Sequence, residues 1–132
     1  MNQYAMITDL KACIEAVAER RAIATIGITP FEPSPNYGYI ECGEALSNSG
    51  GKMFQVRRFT EKPSIEEAER LLALGNYKWN SGMFVFSLAT IFSELNSHAP
   101  DLHLFAEKIA KDWNSEKFSL RFQDEFGRLR KI

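Results

Sequence analysis

The strongest constraint on this sequence is an alternation. Stretches with a helical period are interrupted by apolar runs too short to be helices. Leu10, Ile14 and Val17 recur at i, i+4 and i+7, and Thr8 is placed to cap a helix running to about Arg21. Next comes Ala22 to Ile28, a nearly continuous apolar run, β-branched in its second half, whose length suits a buried strand. Thr29 to Asn36 holds Pro30, Pro33 and Pro35 and reads as a stiff extended loop.

The alternation continues along the chain. Tyr37 to Cys42 reads as a strand, Ser47 to Lys52 as a turn-rich connection, and Met53 to Lys62 as a partner strand. Ser64 and Glu67 form a capping-box pattern for a helix with apolar Ala68, Leu71 and Leu72, and Gly75 is its natural C-cap. Trp79 to Phe86 predicts a strand buried on both faces. Helical spacing returns over Leu88 to Leu95 and over Asp101 to Trp113, and Ser115 to Ile132 is amphipathic without a clear end signal. Helices and strands in turn predict an α/β layered fold, with helices on the faces of a largely buried sheet. There is no repeat and no evident domain boundary. The length of 132 residues suits one domain, able to bury roughly two-thirds of the surface of its unfolded chain.

Composition narrows the function classes. Sixteen Lys and Arg stand against seventeen Asp and Glu, a net charge of −1, without the basic excess of a dedicated nucleic-acid binder. Cys13 and Cys42 have no C-x-x-C spacing, and His98 and His103 lack the i, i+4 geometry of a helical metal pair, which disfavours zinc. No apolar run approaches the roughly 20 residues that span a bilayer. Met1 to Leu10 lacks the basic start and apolar centre of a signal peptide. The expectation is a soluble cytoplasmic protein with reduced thiols, no membrane partner and no nucleic-acid partner.

Three clusters place glycines or polar side chains beside strands, where open α/β sheets collect their ligands. In Asn36-Tyr37-Gly38-Tyr39-Ile40, Gly38 suits close approach of a ligand to the backbone, or equally a β-bulge. In Phe59-Thr60-Glu61-Lys62-Pro63, Pro63 is expected to hold Lys62 extended. Glu61 suits sugar hydroxyls and Lys62 a phosphate, but strand alternation sends the two side chains apart unless the strand bends. A solvated strand end is the plainer alternative. In Trp79-Asn80-Ser81-Gly82-Met83-Phe84, Asn80 offers donors and acceptors and Gly82 leaves room beside a backbone. An Asn-Ser-Gly turn entering a core strand fits as well.

The order of these clusters, together with Ala24-Thr25-Ile26-Gly27-Ile28-Thr29-Pro30, resembles the sugar-phosphate nucleotidyltransferases. The likeness is greatest to the bacterial mannose-1-phosphate guanylyltransferases, including the form fused to mannose-6-phosphate isomerase, and covers about residues 5 to 105. It implies a Rossmann-like α/β nucleotidyltransferase fold, a mixed sheet flanked by helices. It also implies guanylyl transfer from GTP to mannose 1-phosphate, giving GDP-mannose and pyrophosphate for polysaccharide biosynthesis. By the same resemblance Tyr37 and Gly38 lie against the sugar, Glu61 holds its hydroxyls, and Asn80 and Gly82 complete the hexose pocket. Lys62 is the catalytic residue, a point charge on the sugar phosphate. Mg²⁺ is the implied cofactor, and catalysis is positioning plus cationic stabilisation.

The departures from the pattern carry expectations of their own. The family's glycine-rich, Arg-containing phosphate loop does not precede Ala22, and Gly50-Gly51 lies in the wrong place for it. Neither of its two metal-binding aspartate motifs is present. Ser34-Pro35-Asn36 replaces the usual Glu-Thr-Gly: Asn36 can adopt the left-handed backbone that glycine would provide, but a contact from that Glu is lost. The expected chain, residues 1–132, is thus a partial domain: the sugar-phosphate portion without the nucleotide-binding part. It would be inactive alone, meeting GTP only with that part, and its exposed sheet edge would favour a homo-oligomer. The alternatives are a non-catalytic scaffold on the same fold, or a portion serving another hexose 1-phosphate.

Overall fold

The computed structural model describes residues 3–47 and 49–129, so the last three residues of the Ser115 to Ile132 stretch lie outside the described residues. The chain divides into two compact units, Met1–Val85 and Phe86–Ile132, a boundary that no shift of composition marks.

The first unit opens with α1 (Gln3–Arg20), which begins before the expected cap. Thr8 sits inside it and donates its hydroxyl to the Tyr4 carbonyl at 2.9 Å. That i−4 back-bond satisfies the side chain within the helix, so Thr8 does not compete for a helix start. Cys13 and Val17 are its buried residues, and α1 lies against β1 and β4 of the sheet. Arg21 closes the helix in the left-handed region, φ 50°, a place more often taken by glycine.

Four strands follow: β1 (Ala24–Ile28), β2 (Tyr39–Ala45), β3 (Phe54–Thr60) and β4 (Tyr77–Val85). Their order is β1-β4-β2-β3, and every pairing among the described residues is antiparallel, where the resemblance implies a mixed sheet. The expected double-sided burial does not hold. Ile28, Phe54, Val56, Phe59 and Phe84 are all exposed: β1 and β3 are sheet edges, and the helices of this unit lie against β1 and β4.

Between β3 and β4 runs α2 (Ile65–Leu74), whose caps follow the sequence pattern. Ser64 Oγ accepts the Glu67 N–H at 3.2 Å, and Gly75 adopts φ 75° with its N–H on the Leu72 carbonyl. The Glu67 carboxylate turns away from the cap and takes Arg70 at 2.9 and 2.6 Å. Ala68 and Leu71 pack against Tyr39, Tyr77 and Trp79, the buried core of this unit. Beside it, Tyr77 donates its hydroxyl to Glu41 at 3.0 Å, and Arg57 lies 3.8 Å from the same carboxylate.

The second unit is helical: α3 (Leu88–His98), α4 (Pro100–Asp112) and α5 (Phe118–Arg128). Ser87 caps α3 through the Thr90 N–H, and Pro100 opens α4, where its missing N–H costs nothing. Phe105 of α4 meets Phe122 and Phe126 of α5, while Lys108–Glu125 and Arg121–Asp112 pair across the same two helices.

Candidate functional site

The candidate site grows from the start of β2. Tyr39 is fully buried, and its hydroxyl both accepts the Ser34 N–H at 3.0 Å and donates to the Ser34 carbonyl at 3.1 Å. A phenol anchored in the core thereby fixes the proline-rich loop. Asn36 does not use the left-handed conformation open to it; its N–H goes to Ser34 Oγ at 3.3 Å, a side-chain turn at Ser34. Tyr37 then emerges half-exposed with its ring 4.8 Å from Trp79, and Phe31 meets the same indole edge-on at 5.0 Å.

Gly38 is buried, and its carbonyl accepts the Asn80 N–H at 2.7 Å, locking the first and third clusters together. Its lack of a side chain is used by the protein itself. A Cβ there would sit 2.7 Å from Glu61 Oε2 and 2.8 Å from the Phe59 ring. The second cluster therefore folds over the first, and the carboxylate of Glu61 stands directly above the Gly38 backbone.

Lys62 corrects the sequence reading. Pro63 does not hold it extended; its φ is 43°, in the left-handed region. Clash with the proline ring disfavours the ordinary helical region for the residue before it, so a sharp bend at this point takes the left-handed alternative. The bend defeats strand alternation. Lys62 Nζ comes to 3.7 Å from Glu61 Oε1, so an anionic and a cationic group share one exposed corner.

In β4 the third cluster forms a bulge rather than a turn ahead of the strand. Thr25 pairs with Phe84 and Gly27 with Asn80, so Ile26 alone faces Ser81, Gly82 and Met83. Gly82 is there for its φ of 76°, not for room, since nothing lies within 4 Å of a Cβ built on it. Its N–H donates to Asn80 Oδ1 at 3.1 Å, and the Met83 N–H donates to Ser81 Oγ at 3.2 Å.

The six residues singled out in the sequence thus form one connected patch: Tyr37 and Gly38 at the start of β2, Glu61 and Lys62 after β3, Asn80 and Gly82 in the bulge of β4. Three supporting residues lie inside the sequence motifs but are assigned no role by them. Thr25 donates its hydroxyl to Asn80 Oδ1 at 3.0 Å, Phe59 covers Gly38, and Ser34 anchors the loop. Thr25 is the only polar residue in the run Ala22 to Ile28, which is a signal; the other two have no local signature. The patch can offer a carboxylate acceptor, an ammonium, amide donors and aromatic faces, a set suited to a hydroxyl-rich anionic ligand.

The same patch does not fit a bound Mg²⁺. Among the described residues no group of three or more His, Cys, Asp or Glu could hold a metal, and Glu61 at this corner already faces an ammonium. No described helix is long and apolar enough to cross a membrane.

Known proteins match this arrangement. The profile of the nucleotidyl transferase family matches residues 2–124. A mannose-1-phosphate guanylyltransferase of Sinorhizobium fredii is 52% identical over 91 residues, 69% of this chain and 17% of its own. One from Klebsiella pneumoniae is 42% identical over 102 residues, 77% of this chain and 22% of its own. The chain therefore spans about a fifth of the length of these curated relatives. Among solved structures, one described as mannose-1-phosphate geranyltransferase from Thermus thermophilus superposes with a TM-score of 0.79 at 29% identity. It takes in 98% of this chain and 35% of its own. With the family profile running through both units and through all three clusters, this chain, of α/β fold, belongs to the nucleotidyl transferase family.

Proposed function

We propose that this chain supplies the sugar-phosphate side of a guanylyl transfer, in which mannose 1-phosphate attacks GTP to give GDP-mannose and pyrophosphate. The observation that carries the reading is the convergence of Gly38, Glu61 and Asn80: a 2.7 Å backbone bond joins the first to the third, and the second lies directly over the first. The names of the relatives supply the substrate, mannose 1-phosphate, and the word guanylyltransferase supplies the nucleotide.

In this reading Tyr37 offers its ring and Gly38 its backbone to the hexose. Glu61 accepts from sugar hydroxyls, and the Asn80 side-chain N–H groups donate to sugar oxygens. Gly82 shapes the bulge that holds Asn80 in place. Lys62 meets the phosphate, whose oxygen is the nucleophile. It orients that oxygen for in-line attack and offsets the charge that gathers at phosphorus. Mg²⁺ would add charge stabilisation to the transferring phosphates, held by ligands other than these side chains. The chain's own residues bind and orient the acceptor. Activated-sugar synthesis of this kind, with both thiols unpaired, fits the cytoplasm.

Calorimetric titration of mannose 1-phosphate into the 132-residue chain tests the reading, with Lys62→Ala and glucose 1-phosphate as comparisons. Saturable binding that Lys62→Ala weakens at least tenfold is expected. Absence of binding by the unaltered chain would overturn the assignment, and preference for the glucose ester would move it to another hexose. Pyrophosphate release with GTP and Mg²⁺ is expected to be nil from this chain by itself, since its residues include no glycine-rich phosphate loop.

A further inference from the structure

Asn80 is held at one atom by two donors from different strands. Thr25 Oγ1 reaches Oδ1 from β1 at 3.0 Å, and the Gly82 N–H reaches the same oxygen from the bulge at 3.1 Å. An amide oxygen has two lone pairs, so these donors use its accepting capacity. They also settle which way the amide points, because a flipped Asn80 would set its own N–H groups against the Gly82 N–H. What remains is Nδ2, which makes no hydrogen bond among the described residues.

The two donors are not equivalent. The Gly82 N–H belongs to the same local turn as Asn80 and moves with it. Thr25 comes from the neighbouring strand, and its β-branched side chain has few rotamers. It ties the carboxamide to the sheet. A group fixed before its ligand arrives loses less freedom on binding.

We infer that Thr25 is a positioning residue that, through Asn80 Oδ1, presents the Asn80 carboxamide to the site as a donor only. The ligand atom read there is therefore an acceptor oxygen, on a sugar or on a phosphate. The ligand half of this inference rests on the function proposed above; the positioning half rests on the hydrogen bonds alone.

Thr25→Val removes the hydroxyl at nearly constant volume, Thr25→Ser restores it, and Thr25→Ala serves if valine does not pack. Side-chain amide NMR of Asn80 in the ligand-free chain reads the positioning. The expected result is a rigid amide in the parent and in Thr25→Ser, with shifted and more mobile resonances in the valine or alanine variant. Titration with mannose 1-phosphate, mannose and inorganic phosphate reads the consequence. About fivefold weaker binding is expected without the hydroxyl, the size of one lost hydrogen bond, with recovery in Thr25→Ser and no further loss in an Asn80→Ala background. Retention against mannose but not phosphate would place the acceptor on the phosphate, and the reverse on the sugar.

An Asn80 amide unchanged by loss of the hydroxyl would overturn the inference, as would equal binding by Thr25→Val and the parent. If the amide loosens as expected while the parent takes up no mannose 1-phosphate, the positioning stands and the sugar assignment falls.

Discussion

Gly38 and Glu61 compete for one volume: a Cβ on Gly38 would lie 2.7 Å from Glu61 Oε2. Gly38 has no positive φ, so its glycine is required by this approach and not by its backbone. Gly38→Ala must displace both Glu61 and the Phe59 ring, 2.8 Å away. Both are the far ends of exposed side chains and can swing aside. The stability cost should stay below about 1 kcal/mol, short of what overpacking a closed core costs. Affinity for mannose 1-phosphate should fall more than tenfold, because the carboxylate leaves its place above the backbone. Denaturant melts beside calorimetric titration check this; a stable variant with parental affinity would remove Glu61 from the site.

Asn80→Asp separates shape from donor character. The aspartate is the same size and can still accept from Thr25 and from the Gly82 N–H. Its second oxygen, however, faces the ligand with a lone pair and a charge where the amide offered N–H groups. Stability should change little, while binding should fall further than in Asn80→Ala, since repulsion is added to the lost bond. Equal binding by the Asn80→Asp variant and the parent, read by titration at neutral pH, would deny Asn80 its role as donor.

Much of this is legible in the sequence, for reasons that are local. The α2 caps follow from Ser64 and Gly75, whose side chain and lack of one act within a single turn. The three clusters come together in one patch because each lies at a strand end or bulge. The misreadings concern what sequence spacing cannot hold. Thr8 reads as a helix start and is instead absorbed inside one by its bond to the Tyr4 carbonyl. Lys62 reads as extended before Pro63 and is instead left-handed, because the chain bends sharply where strand pairing ends, and the loop at Ser34 is fixed by a core phenol, Tyr39. β1 and β3 are less buried than their apolar content implies, since an apolar run does not say whether its strand is an edge.

Lys62 joins a strained backbone to the proposed phosphate contact. A lysine at φ 43° carries a cost on the order of 1 kcal/mol that glycine would not. Lys62→Gly should therefore hold or slightly raise the melting temperature while lowering mannose 1-phosphate affinity at least tenfold. Lys62→Ala should lose affinity equally without the stability gain. Scanning calorimetry paired with titration distinguishes the two. A Lys62→Gly chain that is less stable than the parent would show that the side chain serves the fold and not the ligand.

Tyr77 should make the fold lose stability at alkaline pH. Burial first, and then its hydrogen bond to the Glu41 carboxylate, push the Tyr77 phenol above its ordinary value. A raised folded pKa means the folded state holds the proton more tightly. The resulting stability is fully present below the unfolded value of about 10 and is lost as pH rises through the folded one. Tyr77→Phe deletes this proton, so its urea stability should be flatter from about pH 9 to 12 than that of the parent. At neutral pH it should be about 1 kcal/mol less stable, because Glu41 loses its closest donor and keeps Arg57 at 3.8 Å. Urea melts across that range, parent against variant, decide it: parallel curves would mean that Tyr77 does not contribute to the alkaline loss.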